Sequence, residues 1–343
     1  MKKSLVIGDT HFKITNLDTA EKLFELINEF ISNDGVTDLI FLGDVYDTKA
    51  IIRSEVQNFL IDKLTELTRK YKNLDVHIVV GNHDFENFQC KNSALAPLKL
   101  INKVNVYDKE VVVNKELRCA FIPFRLTNEE FIKDVESLIP LKDSVNFIFC
   151  HQGLSGFDLG SGMIDVHGVD TSSLPDNKFF YIIGHYHAPQ DKGNFCYLGT
   201  PFSHSFGEAN QEKRVYVHYE NVGTMYVTTT KLPQHYKLNY SAKLNTWFES
   251  SIKFIDKIKD GDIVEVTVSC ASDEVKTYDL LKVSSMFSAA INLRVKYEII
   301  DTSKTIRLQE GISFEQMLKT YLDGKDRSNL FDEGLKFLKD AIL

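Results

Sequence analysis

A chain of 343 residues has room for about two domains at roughly 150 residues each. With 43% hydrophobic and 26% charged residues it buries a sizeable core, which excludes disorder as its main state. A net charge of −8, from 40 basic and 48 acidic residues, argues against holding nucleic acid through bulk positive charge.

The predicted elements begin with a buried strand at 5–7. Asp18-x-x-Glu21 forms a capping box, followed at helical spacing by Leu23, Leu26, Ile27, Phe30 and Ile31. A strand at 39–42 comes next, then a Ser54-x-x-Gln57 box and a helix with Val56, Phe59, Leu60, Leu64 and Leu67, then a strand at 76–80. This β-α-β-α-β order implies a largely parallel core with helices outside. After Pro97 strands dominate, at 104–107, 111–114, 118–122, 146–150, 179–183, 195–198, 214–219 and 225–229, with one helix opening at the Thr127-x-x-Glu130 box. So many strands need two packed sheets. Pro233 and an irregular polar stretch at 231–253 read as a boundary. A small α+β unit follows, with a strand at 263–269, a helix near 274–287 and a strand at 293–300. Ser313-x-x-Gln316 caps a final helix, and a second amphipathic helix runs over 329–342.

The five cysteines (Cys90, Cys119, Cys150, Cys196, Cys270) are odd in number and lack a C-x-x-C, so buried thiols in a reducing compartment are expected. The apolar run at 5–7 is too short for a signal peptide, and no segment approaches the ~18 apolar residues of a membrane span. A cytoplasmic protein with no membrane partner is expected.

Chemistry concentrates just past strand ends. Asp9-x-His11 follows the first strand, Gly43-Asp44-x-x-Asp47 the second and Gly81-Asn82-His83-Asp84 the third. His151 ends the strand at 146–150, and Gly184-His185-x-His187 follows 179–183. Sheets with helices on their faces place ligands at these carboxyl ends. Asp9, His11, Asp44, Asn82, His151, His185 and His187 offer carboxylate, amide and imidazole donors without a thiolate, which suits two divalent ions such as Mn²⁺ better than structural zinc. Seven side chains for two ions require a shared ligand, and a carboxylate such as Asp44 can bridge. Two ions about 3.5–4 Å apart form the clamp for in-line attack on phosphorus. His83 is excess to the ligand count and suits phosphate contact or protonation of the leaving oxygen, with Asp84 orienting its ring. Asp47 reads as a group that orients a ligand rather than as a ligand.

Through D-x-H, G-D-x-x-D, G-N-H-D, a lone His and G-H-x-H, the chain resembles the calcineurin-like metallophosphoesterases. The resemblance implies two mixed sheets packed face to face with helices outside. It assigns Asp9, His11, Asp44 and His187 to one ion and Asp44, Asn82, His151 and His185 to the other. The run Tyr197-Leu198-Gly199-Thr200-Pro201, continuing to Ser205-Phe206-Gly207-Glu208, looks like SbcD-type nucleases, including their compact phage members. That narrower likeness implies Mn²⁺-dependent (or Mg²⁺-dependent) 3′-to-5′ exonuclease and single-strand endonuclease action on DNA, in a homodimer working with an SMC-like ABC ATPase of SbcC type. It also implies a nuclease domain over 1–230, a DNA-binding cap over 231–305 and an ATPase-docking helical segment over 306–343.

Plainer readings stand beside these. His77, inside a strand, reads as packed or hydrogen-bonded, Cys150 and Cys196 as core, and His218 and His235 as ordinary surface residues. His167 and His204 are loop residues near the motifs and candidates for substrate contact. The apolar stripe of the 54–71 helix faces its own sheet or, by the resemblance, a dimer mate; that of Phe331, Leu335, Leu338 and Ile342 is a docked tail or a landing site for the ATPase. Two other functions compete with the nuclease. One is a phosphomonoesterase or protein phosphatase, against which Thr48 and Asp84 stand where protein phosphatases usually carry Arg and Glu. The other is a catalytically silent ATPase scaffold, against which the intact ligand set speaks. The acidity is not decisive, since bound divalent ions reverse the local sign, and residues 212–260 carry eight Lys and Arg against five acids.

Overall fold

Short apolar runs become strands buried on both faces, as parallel sheets require. The computed structural model describes residues 2–299 except 50, 88, 161, 176–177, 220–222 and most of 272–291. In chain order the first half comprises β1 (Lys3–Ile7), α1 (Leu17–Asp34), β2 (Asp38–Phe41), α2 (Ser54–Lys70), β3 (Asp75–Val79), β4 (Val104–Tyr107), β5 (Val112–Asn114), β6 (Cys119–Ile122), α3 (Asn128–Ser137) and β7 (Phe147–His151). Then follow β8 (Phe180–Gly184), β9 (Gln190–Lys192), β10 (Phe195–Tyr197), β11 (Arg214–Tyr219), β12 (Gly223–Thr228), β13 (His235–Ser241), β14 (Thr246–Trp247), α4 (Glu249–Ile255), β15 (Ile263–Cys270) and β16 (Asn292–Ile299).

Two six-stranded mixed sheets result, ordered β12-β11-β1-β2-β3-β4 and β5-β6-β7-β8-β10-β9. Within them β1 through β4 run parallel, as do β6, β7, β8 and β10, while antiparallel strands close every edge except that of β4. Val6, Ile40, Val79, Phe121, Phe149 and Ile182 pack between the sheets. On the outside, Leu23 and Ile27 of α1 and Leu60 and Leu64 of α2 bury against the first sheet, and Phe131 and Val135 of α3 against the second. The stripe of α2 therefore faces its own sheet, with Phe59 packed between the rings of Phe12 and Phe24. No described helix is long and apolar enough to cross a membrane.

Local signals were read unevenly. The Thr127 box forms as expected: Glu130 N donates to Thr127 Oγ1 at 3.3 Å, and Thr127 N to the Glu130 carboxylate at 3.3 Å. The two other boxes within the described residues do not. Helix α1 starts at Leu17, which puts Asp18 inside the first turn, and α2 starts at Ser54 itself, so neither side chain caps. Strand β9 was unforeseen because Gln-Asp-Lys carries no apolar alternation. The stretch 231–253 is not irregular: it holds β13, β14 and α4. Leu238 and Tyr240 of β13 alternate with outward Lys237 and Asn239, and β13 pairs in parallel with β15, as β15 does with β16, in a separate four-stranded sheet. The expected helix at 274–287 lies largely outside the described residues, and the helices at 313–342 lie wholly outside them.

None of the five cysteines forms a disulfide; Cys90 is half-buried and the others are buried. His218 and His235 are not plain surface residues. His218 meets the Phe147 ring edge-on at 4.7 Å, and His235 places Nδ1 2.8 Å from Ser203 Oγ. His77 is buried, with Nδ1 2.8 Å from Tyr107 Oη and Nε2 3.2 Å from Asp38 Oδ1. Burial opposes ionisation of Asp38, but hydrogen bonds from His77 and Thr37 outweigh it and hold the carboxyl below its ordinary value. Such a group contributes stability above the unfolded pKa, lost as pH falls through the folded one. Asp38→Asn is expected to cost about 1–3 kcal/mol at pH 7 and clearly less near pH 3, read from urea midpoints at both pH values.

Candidate metal centre

The five motif loops leave the carboxyl ends of β1, β2, β3, β7 and β8, and the packing of the two sheets brings these ends together. Three of the expected ligands sit in left-handed backbone, His11 at φ 42°, Asp44 at φ 46° and His185 at φ 105°. Non-glycine residues hold such conformations only where their surroundings impose them, typically at functional sites.

Two clusters of donor atoms result, each within 4.8 Å: Asp9 with His11 and Asp44, and Asp44 with His151 and His185. Asp44 belongs to both. His187 Nε2 lies 3.0 Å from His11 Nε2, and Asn82 Oδ1 lies 3.0 Å from His151 Nε2 and 2.9 Å from His185 Nδ1. All seven expected ligands thus meet in one place. The donors fit divalent ions on two further grounds. Asp9 Oδ2 is buried and finds no hydrogen-bond partner among the described residues, an expensive state for a carboxylate oxygen unless a cation meets it. His151 is also oriented for a cation: its Nδ1 donates to the Leu42 carbonyl at 2.8 Å, which turns Nε2 towards the centre, 3.4 Å from Asp44 Oδ2.

The charge that the side chains themselves bring follows from burial and neighbours. Burial, with Asp44 adding to it, pushes Asp9 up to about 6, against the opposing pull of His151. Burial opposes ionisation of Asp44 too, but His151 and His11 hold it far below the usual carboxylate range. Burial lowers His151, yet Asp44 outweighs it and raises the imidazole to about 9. Burial and the His151 charge press His185 down to about 3, and burial keeps His11 well below its ordinary value. Asp44 therefore enters charged and His11 and His185 enter neutral, the forms that ligate.

The neighbouring residues divide. His83 sits beside the cluster, its amide donating to Asp44 Oδ1 at 2.8 Å and its ring 4.9 Å from that of His11. Asp84 does not orient that ring, contrary to expectation. Its fully buried carboxylate accepts the amides of Tyr46 and Gly81, each at 3.0 Å, and so ties the second motif loop to the third. The ring partner is the Asp47 carbonyl, 2.7 Å from His83 Nδ1. The Asp47 carboxylate pairs with Lys13 at 3.0 Å and lies 3.8 Å from His11 Nδ1. His204 places Nε2 3.2 Å from the Asp9 carbonyl, with its ring 5.3 Å from that of His11. His167 lines a cavity of about 280 Å³ that opens beside Asn82 and His185 and is walled by Phe124, Gln152 and Lys49.

Two residues near the centre carried no assigned role in the sequence reading. Glu208 Oε1 lies 2.7 Å from His187 Nδ1, and Lys213, 2% exposed, donates to Glu208 Oε2 at 2.7 Å. Their sequence signal was the Ser205-Phe206-Gly207-Glu208 run, which marks a segment without saying what its carboxylate touches.

Comparison with known proteins agrees with this geometry. The chain is 25% identical over 221 residues to exonuclease subunit 1 of Enterobacteria phage T4, covering 62% of each chain. Two provisionally named phosphoesterases also match: that of Invertebrate iridescent virus 3 at 24% identity, covering 60% of this chain and 59% of the relative, and that of Invertebrate iridescent virus 6 at 26%, covering 60% and 72%. The chain therefore spans only about three-fifths of the length of the first two. The family model for calcineurin-like phosphoesterases matches residues 2–189, which includes all five motifs and every expected ligand. With both sheets, both donor clusters and that match in agreement, the chain belongs to the calcineurin-like phosphoesterases, phosphoester hydrolases whose fold binds divalent metal ions.

Proposed function

We propose that this chain is a metal-dependent DNA nuclease that hydrolyses phosphodiester bonds with two divalent ions, Mn²⁺ or Mg²⁺, as the nuclease subunit of an SbcCD-like DNA end-processing complex. The observation that carries the two-ion reading is Asp44, the one carboxylate common to both donor clusters. The likeness to a phage exonuclease subunit supports DNA as the substrate. The cavity beside His185 supports it too, since Phe124 offers a face for a base and Lys49 a charge for phosphate.

Asp9, His11, Asp44 and His187 would hold one ion, and Asp44, Asn82, His151 and His185 the other. Bound there, the ions supply charge neutralisation of the phosphodiester and activation of water for attack. His83 handles the proton at the departing oxygen. Its Nδ1 is fixed by the Asp47 carbonyl, so Nε2 remains for that transfer. Asp84 serves the site by fixing the two loops that carry Asp44 and Asn82. In this reading the four-stranded sheet after residue 234 is a DNA-binding cap, the chain works as a homodimer, and 306–343, outside the described residues, docks the ATPase.

The test is turnover on single-stranded DNA against a small aryl phosphate in Mn²⁺. The reading expects DNA to be strongly preferred, and a strong preference for the aryl phosphate would overturn it. His83→Ala is expected to lower DNA turnover by about 10²–10⁴-fold. The loss should shrink on the aryl phosphate, whose leaving group departs without a proton.

A further inference from the structure

We infer that Glu208 is a positioning residue for His187, and that a clasp on the four-stranded sheet holds it in place. The inference rests on the metal-centre reading above and extends it to a residue outside the five motifs.

His187 can present Nε2 to the centre only if Nδ1 carries the proton, and Glu208 Oε1 takes that proton's hydrogen bond at 2.7 Å. A carboxylate on the far nitrogen fixes tautomer and ring orientation and makes the near nitrogen a better donor to a metal. Glu208 is itself prevented from swinging. Its other oxygen accepts from Lys213 Nζ at 2.7 Å, Thr200 Oγ1 at 3.0 Å and His204 N at 3.3 Å. Lys213 also donates to the His187 carbonyl at 3.1 Å, so one network grips both the ring and the main chain of His187. A buried lysine beside a cation site is costly unless neutralised. Pairing with Glu208 neutralises it and leaves Oε1 for the imidazole.

The segment that carries Glu208 is clasped from outside. His235 N donates to Ser203 Oγ at 2.7 Å, and Asn210 N donates to the His235 carbonyl at 3.0 Å. Asn210 further exchanges side-chain bonds with Lys237, at 2.8 Å to its carbonyl and 3.1 Å from its amide. Glu208 lies between these two attachment points, so the placement of β13 and the orientation of His187 are mechanically joined.

A buried Glu–Lys pair also has a purely structural explanation, as a rivet for the 203–213 segment. That alternative predicts lower stability in chelator and equal weakening of both ions. Positioning predicts a selective effect. The test is Mn²⁺ titration of the full chain, read by the electron paramagnetic resonance signal of free Mn²⁺, for wild type, Glu208→Gln and Asn210→Ala, with melting in chelator alongside. Wild type should bind two ions. Glu208→Gln should weaken one of them by about 10–100-fold and leave the other unchanged. Asn210→Ala, which removes the two side-chain bonds of the clasp without touching the network, should weaken the same ion by a smaller factor. If Glu208→Gln does not fold, Asn210→Ala decides. Variants that bind both ions as wild type does, or that lose both alike, overturn the inference. A wild type that fails to bind two ions overturns the metal-centre reading instead.

Discussion

Asp44→Asn is expected to abolish phosphodiester hydrolysis while leaving the fold intact. Asp44 is the residue common to both donor clusters, so removing its charge disturbs two ion positions at once. Its Oδ2 lies 3.4 Å from His151 and 3.7 Å from His11, while Oδ1 accepts the His83 amide at 2.8 Å. Asparagine keeps the shape and the amide bond but loses the anion. Loss of several kcal/mol of transition-state stabilisation, at about 1.4 kcal/mol per factor of ten, corresponds to a fall on the order of 10³-fold or more in kcat. The same change removes the strongest of the groups that raise His151. Unchanged circular dichroism with kcat near background is the expected pair of results; kcat within tenfold of wild type would show that Asp44 does not bridge.

Gly184→Ala is expected to disrupt the site through a single added methyl. A Cβ there would lie 2.5 Å from the Leu42 carbonyl oxygen and 2.8 Å from His151 Nδ1. Those two atoms form the hydrogen bond that orients His151. The added carbon therefore sits across the bond and between β8 and the end of β2, where neither neighbour is a flexible side-chain tip. Overpacking at about 1–3 kcal/mol and a broken buried hydrogen bond at about 1–3 kcal/mol together predict a loss of about 2–6 kcal/mol. Weaker metal binding should accompany it. Gly156 is the control: its φ of +87° strains any substitution, but nothing lies within 4 Å of a Cβ, so Gly156→Ala should cost only about 1 kcal/mol. Urea midpoints compare the two. Equal effects would mean that backbone conformation, not the crowding at His151, dominates.

The catalytic half was legible because its signals are local and strong. Val6, Ile40, Val79 and Ile182 lie in continuous apolar runs that can be strands only when buried on both sides, and each run ends in a glycine or polar motif that marks the carboxyl edge. Asp9, His11, Asp44, Asn82, His151, His185 and His187 could therefore be grouped before any geometry was known. Finer assignments depended on which atom meets which. Asp84 is adjacent to His83 in sequence, yet its side chain points to the amides of Tyr46 and Gly81, while the ring of His83 turns to the Asp47 main chain. Adjacency along a turn says little about side-chain direction. Glu208 was invisible for the opposite reason, since it reaches His187 from 21 residues away, past β9 and β10, with no periodic pattern joining the two. Strand β13 was overlooked although Tyr236, Leu238 and Tyr240 alternate with Lys237 and Asn239 as in a half-buried strand, because Pro233 and the polar residues around it read as a boundary.

The net charge of −8 looks unfavourable for a DNA-acting chain only when the ligands are counted as free acids. Asp9 and Asp44 are buried and aimed at positions where cations are expected, so they do not repel a phosphate backbone once divalent ions are present.

Cleavage of end-labelled single-stranded DNA is the most direct measurement, made on chelator-treated protein before and after Mn²⁺ is restored, with Asp44→Asn in parallel. Cleavage that appears only on restoring the metal, and only in the wild-type chain, is the predicted result. Cleavage without a divalent ion, or cleavage that persists in Asp44→Asn, would contradict a two-ion nuclease built on Asp44.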